Sequence, residues 1–432
     1  MTVEYGSPAA ESGGRVDFMT RHTLECRCCG REYAEDGYRL ECDDCGVNAL
    51  LRTRYPGTGL PVDTATTGPF RYRGWLPVRR SRPSENLTSV FAAPELGARL
   101  GLRDLWVAFT GYWPERDCHA ECFSFKELEA IAVLGRRPES APLVIPSAGN
   151  TASAFGLLCT RFELPCLLVV PARQLGNLSL AVPFGPTVQV VALADASYPQ
   201  TLDYARSLCD RLGVEVEGGV RNVARRDGMA TVLYTAYEAM GRLPDHYVQA
   251  VGSASGALAA YEASLRLTDG RLPRLLLGQN AEFAPVHELW RDGVTGGRSC
   301  PGEIWTPELT NVTPPYHLPG GIAEALRATD GRVTVATTEQ ARAAAGLFEA
   351  TYGIDIEPPA AIALACLRQA AASGELPPSD SVLLNITGGG RRRRLRETGA
   401  GRRPVAATVL PHDGAGWSVD LALRGPASRI PV

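Results

Sequence analysis

The sequence predicts an α/β protein with parallel sheets, preceded by a small cysteine-rich unit of the zinc-ribbon type. Two observations lead to this prediction. Short apolar runs alternate with helical stretches beyond residue 57, and two Cys-x2-Cys pairs stand near the N-terminus. The chain has 432 residues, which is too long for one ordinary core and indicates two or three structural units.

The alternating segments have the composition of buried strands and of helices. The predicted strands are 143–147, 166–171, 188–193, 247–252, 274–277, 333–337 and 382–386. The predicted helices are 151–161, 201–212, 257–267 and 338–350. Strands that alternate with helices form parallel sheets covered by helices, so a ligand is expected at the carboxyl ends of the strands.

The N-terminal cysteines have the spacing of metal ligands. Cys26 and Cys29 form one Cys-x2-Cys pair, and Cys42 and Cys45 form the other. Each pair can sit on a tight turn and offer two thiolates to one tetrahedral ion. The pattern predicts a structural Zn²⁺, because four thiolates leave no open position for catalysis. Cys28 is not an expected ligand, although it could replace Cys26 if the register differs. The other alternative is a ribbon that holds together without metal.

Composition and charge exclude several classes of protein. A formal net charge of −3 argues against a general nucleic-acid or anionic-membrane binder. The sequence contains no 18-residue apolar run and no secretory signal near its start. With 12 cysteines and no signal peptide, we expect a reducing compartment and a cytoplasmic protein without nucleic-acid or membrane partners.

The basic residues show a strong bias. Lys126 is the single lysine among 44 basic residues, and all the others are arginine. Arginine serves wherever only positive charge is needed, but it stays protonated and cannot act as a nucleophilic amine. Lys126 is therefore a candidate reactive amine, with chance retention as the alternative.

Three loops at predicted strand ends have the features of ligand-binding turns. Residues 146–151 read PSAGNT and residues 252–256 read GSASG, each just before a helix, where backbone N–H groups and the helix dipole favour an anion. Residues 387–390 read TGGG, which allows close approach of the backbone and presents the hydroxyl of Thr387. Each motif alone is also compatible with an ordinary cap or turn.

Lys126 lies in the segment FSFKELEA. The order of this segment and the three loops along the chain resembles the order of motifs in the fold-type II pyridoxal-phosphate enzymes. This family includes threonine synthase, cysteine synthase and cysteate synthase. The resemblance covers about residues 70–395. It implies two open twisted sheets of parallel type, flanked by helices, with pyridoxal 5′-phosphate (PLP) between them.

Other segments narrow the resemblance. The ribbon followed by LLRTRY is similar to the threonine synthase-like branch, and the segments FRYRGWLP, GYWPER and GQN are most similar to the cysteate synthases. The implied division is a mobile tail (1–20), a zinc-ribbon-like unit (21–56), a large PLP domain (57–140 with 251–432) and a small domain (141–250).

The resemblance implies a role for each matching residue. Lys126 would attach covalently to PLP and later act as the general base at the substrate Cα. Asn150 would hydrogen-bond the 3′-oxygen of the cofactor, and Thr387 would contact its pyridine nitrogen. The phosphate would be held by Gly252, Ser253, Ala254, Ser255 and Gly256, with Ala254 at a position where the family often has glycine. The substrate would be bound by Ser147, Gly149, Thr151, Arg116, Gln279 and Asn280.

The implied reaction is β-replacement on O-phospho-L-serine with sulfite, which gives L-cysteate and phosphate. Both substrates are small anions, so cationic side chains are expected on the Cβ side. The candidates are Arg116, Arg71 and the run 391–394, although such a run is also typical of a solvated surface. Threonine synthase, β-replacement with another nucleophile, and a non-catalytic PLP-fold binding protein remain alternatives, and a homo-oligomer could form.

Overall fold

The computed structural model describes residues 22–138, 142–147, 149–178, 183–268, 270–294, 296, 304–398 and 407–411. Its strands are β1 (Thr23–Cys26), β2 (Glu32–Ala34), β3 (Leu51–Arg54), β4 (Thr88–Ala92), β5 (Asp104–Thr110), β6 (Tyr112–Trp113), β7 (Cys118–His119), β8 (Leu143–Pro146), β9 (Cys166–Pro171), β10 (Val188–Leu193), β11 (Glu215–Val216), β12 (His246–Ala250), β13 (Arg274–Asn280), β14 (Arg332–Ala336), β15 (Ser381–Ile386) and β16 (Thr408–Leu410).

Helices separate most of these strands. They are α1 (Pro94–Leu100), α2 (Lys126–Arg136), α3 (Asn150–Arg161), α4 (Tyr198–Leu212), α5 (Val223–Met240), α6 (Ser255–Leu267), α7 (Pro285–Asp292), α8 (Ile322–Ala328), α9 (Thr338–Tyr352), α10 (Pro358–Ala372) and α11 (Arg391–Thr398). Short 3₁₀ turns include 69–75, 114–116 and 307–309. No helix in the described ranges combines the length and apolarity that a membrane crossing needs.

The N-terminal unit is a three-stranded antiparallel sheet in the order β2-β1-β3. It is anchored to the rest of the chain by one buried and one partly exposed ion pair. The Arg136 guanidinium, 1% exposed, donates to both carboxylate oxygens of Glu35 at 2.8 and 3.1 Å. Arg27 pairs with Glu324 at 2.9 Å. These contacts fix the unit against the body of the protein.

Two sheets form the body of the molecule. The smaller has five parallel strands in the order β11-β8-β9-β10-β16. The larger has six in the order β14-β13-β12-β15-β5-β4, with only the edge strand β4 antiparallel. The predicted class, an α/β fold with two parallel-type sheets, is confirmed.

The predicted division into domains differs from the sheets at one strand. β16 pairs with β10 in the smaller sheet, although it falls inside the range 251–432. Its three residues, TVL, follow an Arg- and Gly-rich stretch and give no apolar run that sequence reading could detect. The predicted tail, 1–20, lies outside the described residues.

The predicted strands and helices are all present within a few residues of their expected bounds. Two long helices, α5 and α10, were not predicted because both are buried around most of their circumference. A helix without a polar face has no amphipathic period to detect. β5 was missed although its run, DLWVAFT, is apolar.

The loop from β12 to α6 contains an unusual backbone conformation. Ala254, the residue before α6, has φ 63° and ψ 9°, which is the left-handed region. A non-glycine residue held there costs about 1–3 kcal/mol. Ala254, which stands where the family often has glycine, is therefore a site of local backbone strain.

We expect Ala254→Gly to stabilise the protein by about 1 kcal/mol, since glycine relieves the strain but adds entropy to the unfolded chain. Urea unfolding would measure the change. As a matched control, Ala259→Gly inside α6 should destabilise the protein by about 1 kcal/mol. A loss of stability in Ala254→Gly would show that the position carries no strain.

Candidate active site

Lys126 is held in place by backbone pairing across the molecule. It is the first residue of α2, and the segment before it runs antiparallel to the end of β15. The Phe125 N–H donates to the Thr387 carbonyl at 2.9 Å, and the Gly389 N–H donates to the Phe123 carbonyl at 3.1 Å. This pairing places the lysine beside Thr387, at the carboxyl end of a central strand.

One cavity brings together Lys126, Asn150, the loop 252–256 and Thr387. These are all the residues that the sequence assigned to the cofactor. Asn150 is the first residue of α3, and Ser255 is the first of α6. The cavity therefore lies where strands β12 and β15 end and helices α2, α3 and α6 begin.

The loop 252–256 has the shape and chemistry of a phosphate cradle. A Cβ on Gly252 would lie 2.7 Å from the Glu308 carbonyl, so this position requires glycine, and one on Gly256 would lie 2.5 Å from the side-chain Nε2 of Gln249. The hydroxyls of Ser253 and Ser255 are 3.0 Å apart, and the loop leads into the N-terminus of α6. Hydroxyls, backbone N–H groups and a positive helix end suit a phosphate. Together with the lysine, these residues fit PLP.

The amine of Lys126 contacts a buried carboxylate. Its Nζ lies 3.0 Å from Oε2 of Glu129, whose side chain is 0% exposed. Burial lowers the pKa of Lys126, and Arg225 lowers it further, while Glu129 opposes this shift. A lower pKa increases the fraction of neutral amine, which is the form that acts as nucleophile or base.

The residues expected to hold the substrate carboxylate adjoin the cavity. Gly149 directly precedes α3, and its carbonyl accepts a hydrogen bond from Ser153 N–H at 3.1 Å. Thr151 is 8% exposed and donates its hydroxyl to Glu129 Oε1 at 2.8 Å. Ser147 follows β8. Residue 148 of this loop lies outside the described residues.

Three other expected substrate residues lie outside this cavity. Gln279 and Asn280 end β13, and both amides bond to backbone: Gln279 Nε2 to the Val251 carbonyl at 3.1 Å and Asn280 Nδ2 to the Thr306 carbonyl at 3.2 Å. They therefore support the walls of the cavity. The Arg116 guanidinium lies 3.7 Å from the centre of the Phe91 ring and lines a different cleft.

The arginine run 391–394 is committed to ion pairs. Arg391 donates to both oxygens of Glu357 at 2.8 Å, and Arg392 pairs with Glu349 at 2.6 Å. Arg393 pairs with Glu115 and Glu397, and Arg394 with Glu121. The run therefore links α11 to neighbouring elements, and it is neither a free surface patch nor an open anion site.

The acidic side chains of this region were not predicted from the sequence. Glu308 and Glu357 line the cavity, and Glu129 lies beneath the lysine. Glu308 is exposed at the cavity. The surrounding protein nevertheless removes much of the water from around its carboxyl group, and this desolvation, with the nearby Glu357, raises the pKa of Glu308 to about 7. Glu129 could have been noticed, since it is three residues after Lys126 on a helix. Glu308 carries no sequence signal.

The four predicted ligand cysteines form a separate cluster. The Sγ atoms of Cys26, Cys29, Cys42 and Cys45 all lie within 4.8 Å of one another. Sulfurs around a tetrahedral zinc are about 3.8 Å apart, because Zn–S bonds are about 2.3 Å long. The cluster is compatible with zinc, and Cys28 is exposed and outside it.

Comparisons with known proteins agree with this geometry. The family described as pyridoxal-phosphate dependent enzyme matches residues 82–388. A cysteate synthase from Methanosphaerula palustris is 42% identical over 395 residues, covering 87% of this chain and 91% of that protein. One from Methanoculleus marisnigri is 39% identical over 426 residues, covering 94% of this chain and 97% of that protein.

Solved structures show the same fold at low identity. Threonine synthase from Escherichia coli has a TM-score of 0.60 at 15% identity, covering 91% of this chain and 97% of that one. Maize serine racemase has a TM-score of 0.56 at 16% identity, covering 71% of this chain and 90% of that one. With its matched family and its relatives near 40% identity, the chain belongs to the fold-type II pyridoxal-phosphate dependent enzymes, in the group formed by the cysteate synthases.

Proposed function

We propose that the chain is a cysteate synthase, which converts O-phospho-L-serine and sulfite into L-cysteate and phosphate. The observation that carries the proposal is the placement of the single lysine, Lys126, in one cavity with a phosphate-binding loop, in a chain about 40% identical to cysteate synthases over most of its length. The Cβ–O bond to phosphate breaks and a Cβ–S bond to sulfite forms, with no net oxidation or reduction.

The proposed reaction gives a task to Lys126, Asn150, the loop 252–256 and Thr387. PLP, when bound, withdraws electrons from the Cα of the attached amino acid. Lys126 removes the Cα proton and later returns it, which its lowered pKa favours. Asn150 would orient the ring oxygen of PLP, and the loop 252–256 would hold its phosphate. Thr387 would offer a neutral hydroxyl to the pyridine nitrogen, which would leave the ring a weaker electron sink and suit elimination from Cβ.

The substrate is held on the α3 side of the cavity in this proposal. Ser147, Gly149 and Thr151 bind its carboxylate at the N-terminus of α3, where a helix dipole favours an anion. Thr151 contributes its backbone N–H, because its hydroxyl donates to Glu129. Arg116, Gln279 and Asn280 remain predicted substrate residues, although the described contacts place them in supporting positions or in the second cleft. The nucleophile is a small anion, sulfite.

Threonine synthase is the second candidate, and β-replacement with another nucleophile or binding without turnover are further alternatives. We infer a cytoplasmic enzyme acting on small molecules, without a nucleic-acid or membrane partner, that could assemble as a homo-oligomer. We also infer one structural Zn²⁺ per chain, bound by Cys26, Cys29, Cys42 and Cys45. The close cluster of the four sulfurs supports the metal.

The function is tested by incubating the PLP-loaded protein with phosphoserine or phosphohomoserine, each with sulfite, sulfide or water. Phosphate release and product mass identify the reaction. We expect phosphoserine with sulfite to give cysteate, and Lys126→Arg to abolish it, because arginine keeps the charge but cannot serve as a reactive amine. Threonine formed from phosphohomoserine, without cysteate, would establish threonine synthase instead.

Zinc removal tests the second assignment. We expect purified protein to contain one zinc per chain and Cys42→Ser to lose it and lower the melting temperature, because metal binding contributes folding energy in so small a unit. Elemental analysis and thermal unfolding measure both. Cys28→Ser is the matched control and should keep the metal. Metal-free protein purified without chelators would contradict the assignment.

The pKa of Glu308, about 7, predicts a pH effect on the anionic substrate. Glu308 is neutral below this pH and negative above it, so phosphoserine should bind more weakly to the wild type at pH 8 than at pH 6. Glu308→Gln removes this charge. We expect the ratio of the wild-type KM to the Glu308→Gln KM for phosphoserine to increase severalfold between pH 6 and pH 8.

Because both proteins see the same substrate, this ratio cancels the titration of phosphoserine and sulfite. Glu115→Gln, which lies away from the cavity and pairs with Arg393, serves as the control and should leave the ratio constant. A ratio that does not change with pH for Glu308→Gln would show that Glu308 does not face the substrate.

A further inference from the structure

A buried cluster of three charged side chains lies beneath Lys126. Lys126 Nζ is 3.0 Å from Glu129 Oε2, and Arg225 Nη1 is 3.2 Å from the same oxygen. Arg225 also donates to both oxygens of Glu217, at 2.8 and 2.6 Å. The side chains of Glu129, Arg225 and Glu217 are 0%, 8% and 4% exposed, whereas that of Lys126 is 21% exposed.

The cluster connects elements that lie far apart in sequence. Glu129 belongs to α2, Arg225 to the first turn of α5, and Glu217 follows β11. Thr151, at the start of α3, donates its hydroxyl to Glu129 Oε1 at 2.8 Å. Both oxygens of Glu129 are therefore bonded, one to Thr151 and the other to Lys126 and Arg225.

The charges balance only while the amine is protonated. Two cations and two carboxylates are then paired, as buried charges require. If Nζ leaves Oε2, Arg225 and Thr151 still hold the Glu129 carboxylate in position, because neither contact depends on the lysine. The acceptor for the free amine, Oε2 of Glu129, is thus kept in place 3.0 Å from the present position of Nζ.

We propose that Glu129 is a positioning residue that receives and orients the free amine of Lys126 whenever the lysine is not covalently attached to the cofactor. Arg225, itself fixed by Glu217, and Thr151 hold the Glu129 carboxylate for this purpose. The proposal rests on the proposed function only in taking Lys126 as the reactive lysine. It does not depend on which nucleophile the enzyme uses.

Charged and titratable groups from several elements surround the amine, and the carboxylates of Glu308 and Glu357 line the same cavity. Glu129 faces the amine from α2 and Arg225 from α5, while Glu217 and Tyr198 lie around Arg225 from the segment after β11 and from α4. Burial and the charge of Arg225 lower the pKa of Lys126, whereas the carboxylates of Glu129 and Glu217 raise it. Replacing the Glu129 carboxylate with a neutral amide therefore removes an attraction and leaves the repulsion from Arg225.

The single lysine permits a direct measurement. The full chain, grown with lysine labelled with ¹³C at Cε, gives one resonance, because the sequence contains no other lysine. After PLP is removed, the pH dependence of this resonance gives the pKa of the free Lys126 amine. We expect Glu129→Gln to lower that pKa by at least one unit, which is a tenfold loss of proton affinity.

Turnover supplies a second readout. The Lys126 amine must be neutral to remove the Cα proton, so a lower pKa shifts the acidic limb of the kcat profile to lower pH. We expect this shift in Glu129→Gln together with at least a tenfold lower kcat at the optimum, because the amine is no longer oriented. Glu129→Asp keeps the charge but shortens its reach, so its effects should be smaller and in the same direction.

Glu127→Gln is the matched control. Glu127 is also buried on α2, but its carboxylate accepts backbone N–H groups of Glu121 and Cys122 at 2.8 and 3.1 Å and does not touch the lysine. It should leave the Lys126 resonance unchanged. If Glu129→Gln fails to fold, Glu129→Asp decides the question by the same titration.

Two results would overturn the proposal. One is an amine pKa in Glu129→Gln, or in Glu129→Asp where only that variant folds, that equals the wild-type value. The other is an equal shift in Glu127→Gln, which would indicate a general effect of altering α2. Failure of the proposed function is distinguishable, since cysteate formation could be absent while the resonance of the cofactor-free protein still shifts.

Discussion

The backbone pairing between residues 123–125 and 387–389 is the constraint on which the site depends. It fixes the start of α2 against the end of β15, so backbone hydrogen bonds place the lysine beside Thr387. A Cβ on Gly388 would lie 2.6 Å from the Phe123 carbonyl, and one on Gly389 would lie 2.6 Å from the Asp355 carbonyl. The glycines after Thr387 thus serve close approach of backbone to backbone.

Much of the fold and most of the cofactor site could be predicted from the sequence, because both are encoded in local patterns. Strands such as β9 and β15 are short apolar runs, and the loop 252–256 is a small-residue turn before a helix. Lys126 is conspicuous because it is the single lysine among 44 lysine and arginine residues. These signals need no knowledge of distant contacts.

The rest could not be predicted because it depends on long-range packing. Arg225 meets Glu129 across nearly a hundred positions of sequence, and in the sequence it is one of many arginines. The arginine run that contains Arg391 is typical of a solvated surface, whereas in the structure Arg391 pairs with Glu357. Arg116 stood in a distinctive motif, yet it packs on aromatic rings. An ionic side chain shows its partner only in the folded structure.

The arrangement of charges also explains how an acidic cavity could accept anions. The described arginines near the cavity are paired, Arg391 with Glu357 and Arg225 with Glu217 and Glu129. Helices α3 and α6 instead begin at the cavity, and each presents the N–H groups of its first turn and the positive end of its dipole. Helix α2 also begins there, but the N–H groups of its first residues are bonded to Ser124 and to the Phe125 carbonyl. Backbone N–H groups attract an anion in a fixed direction, and no side chain has to be ordered for this. The arginines instead form ion pairs that join the elements around these helix ends.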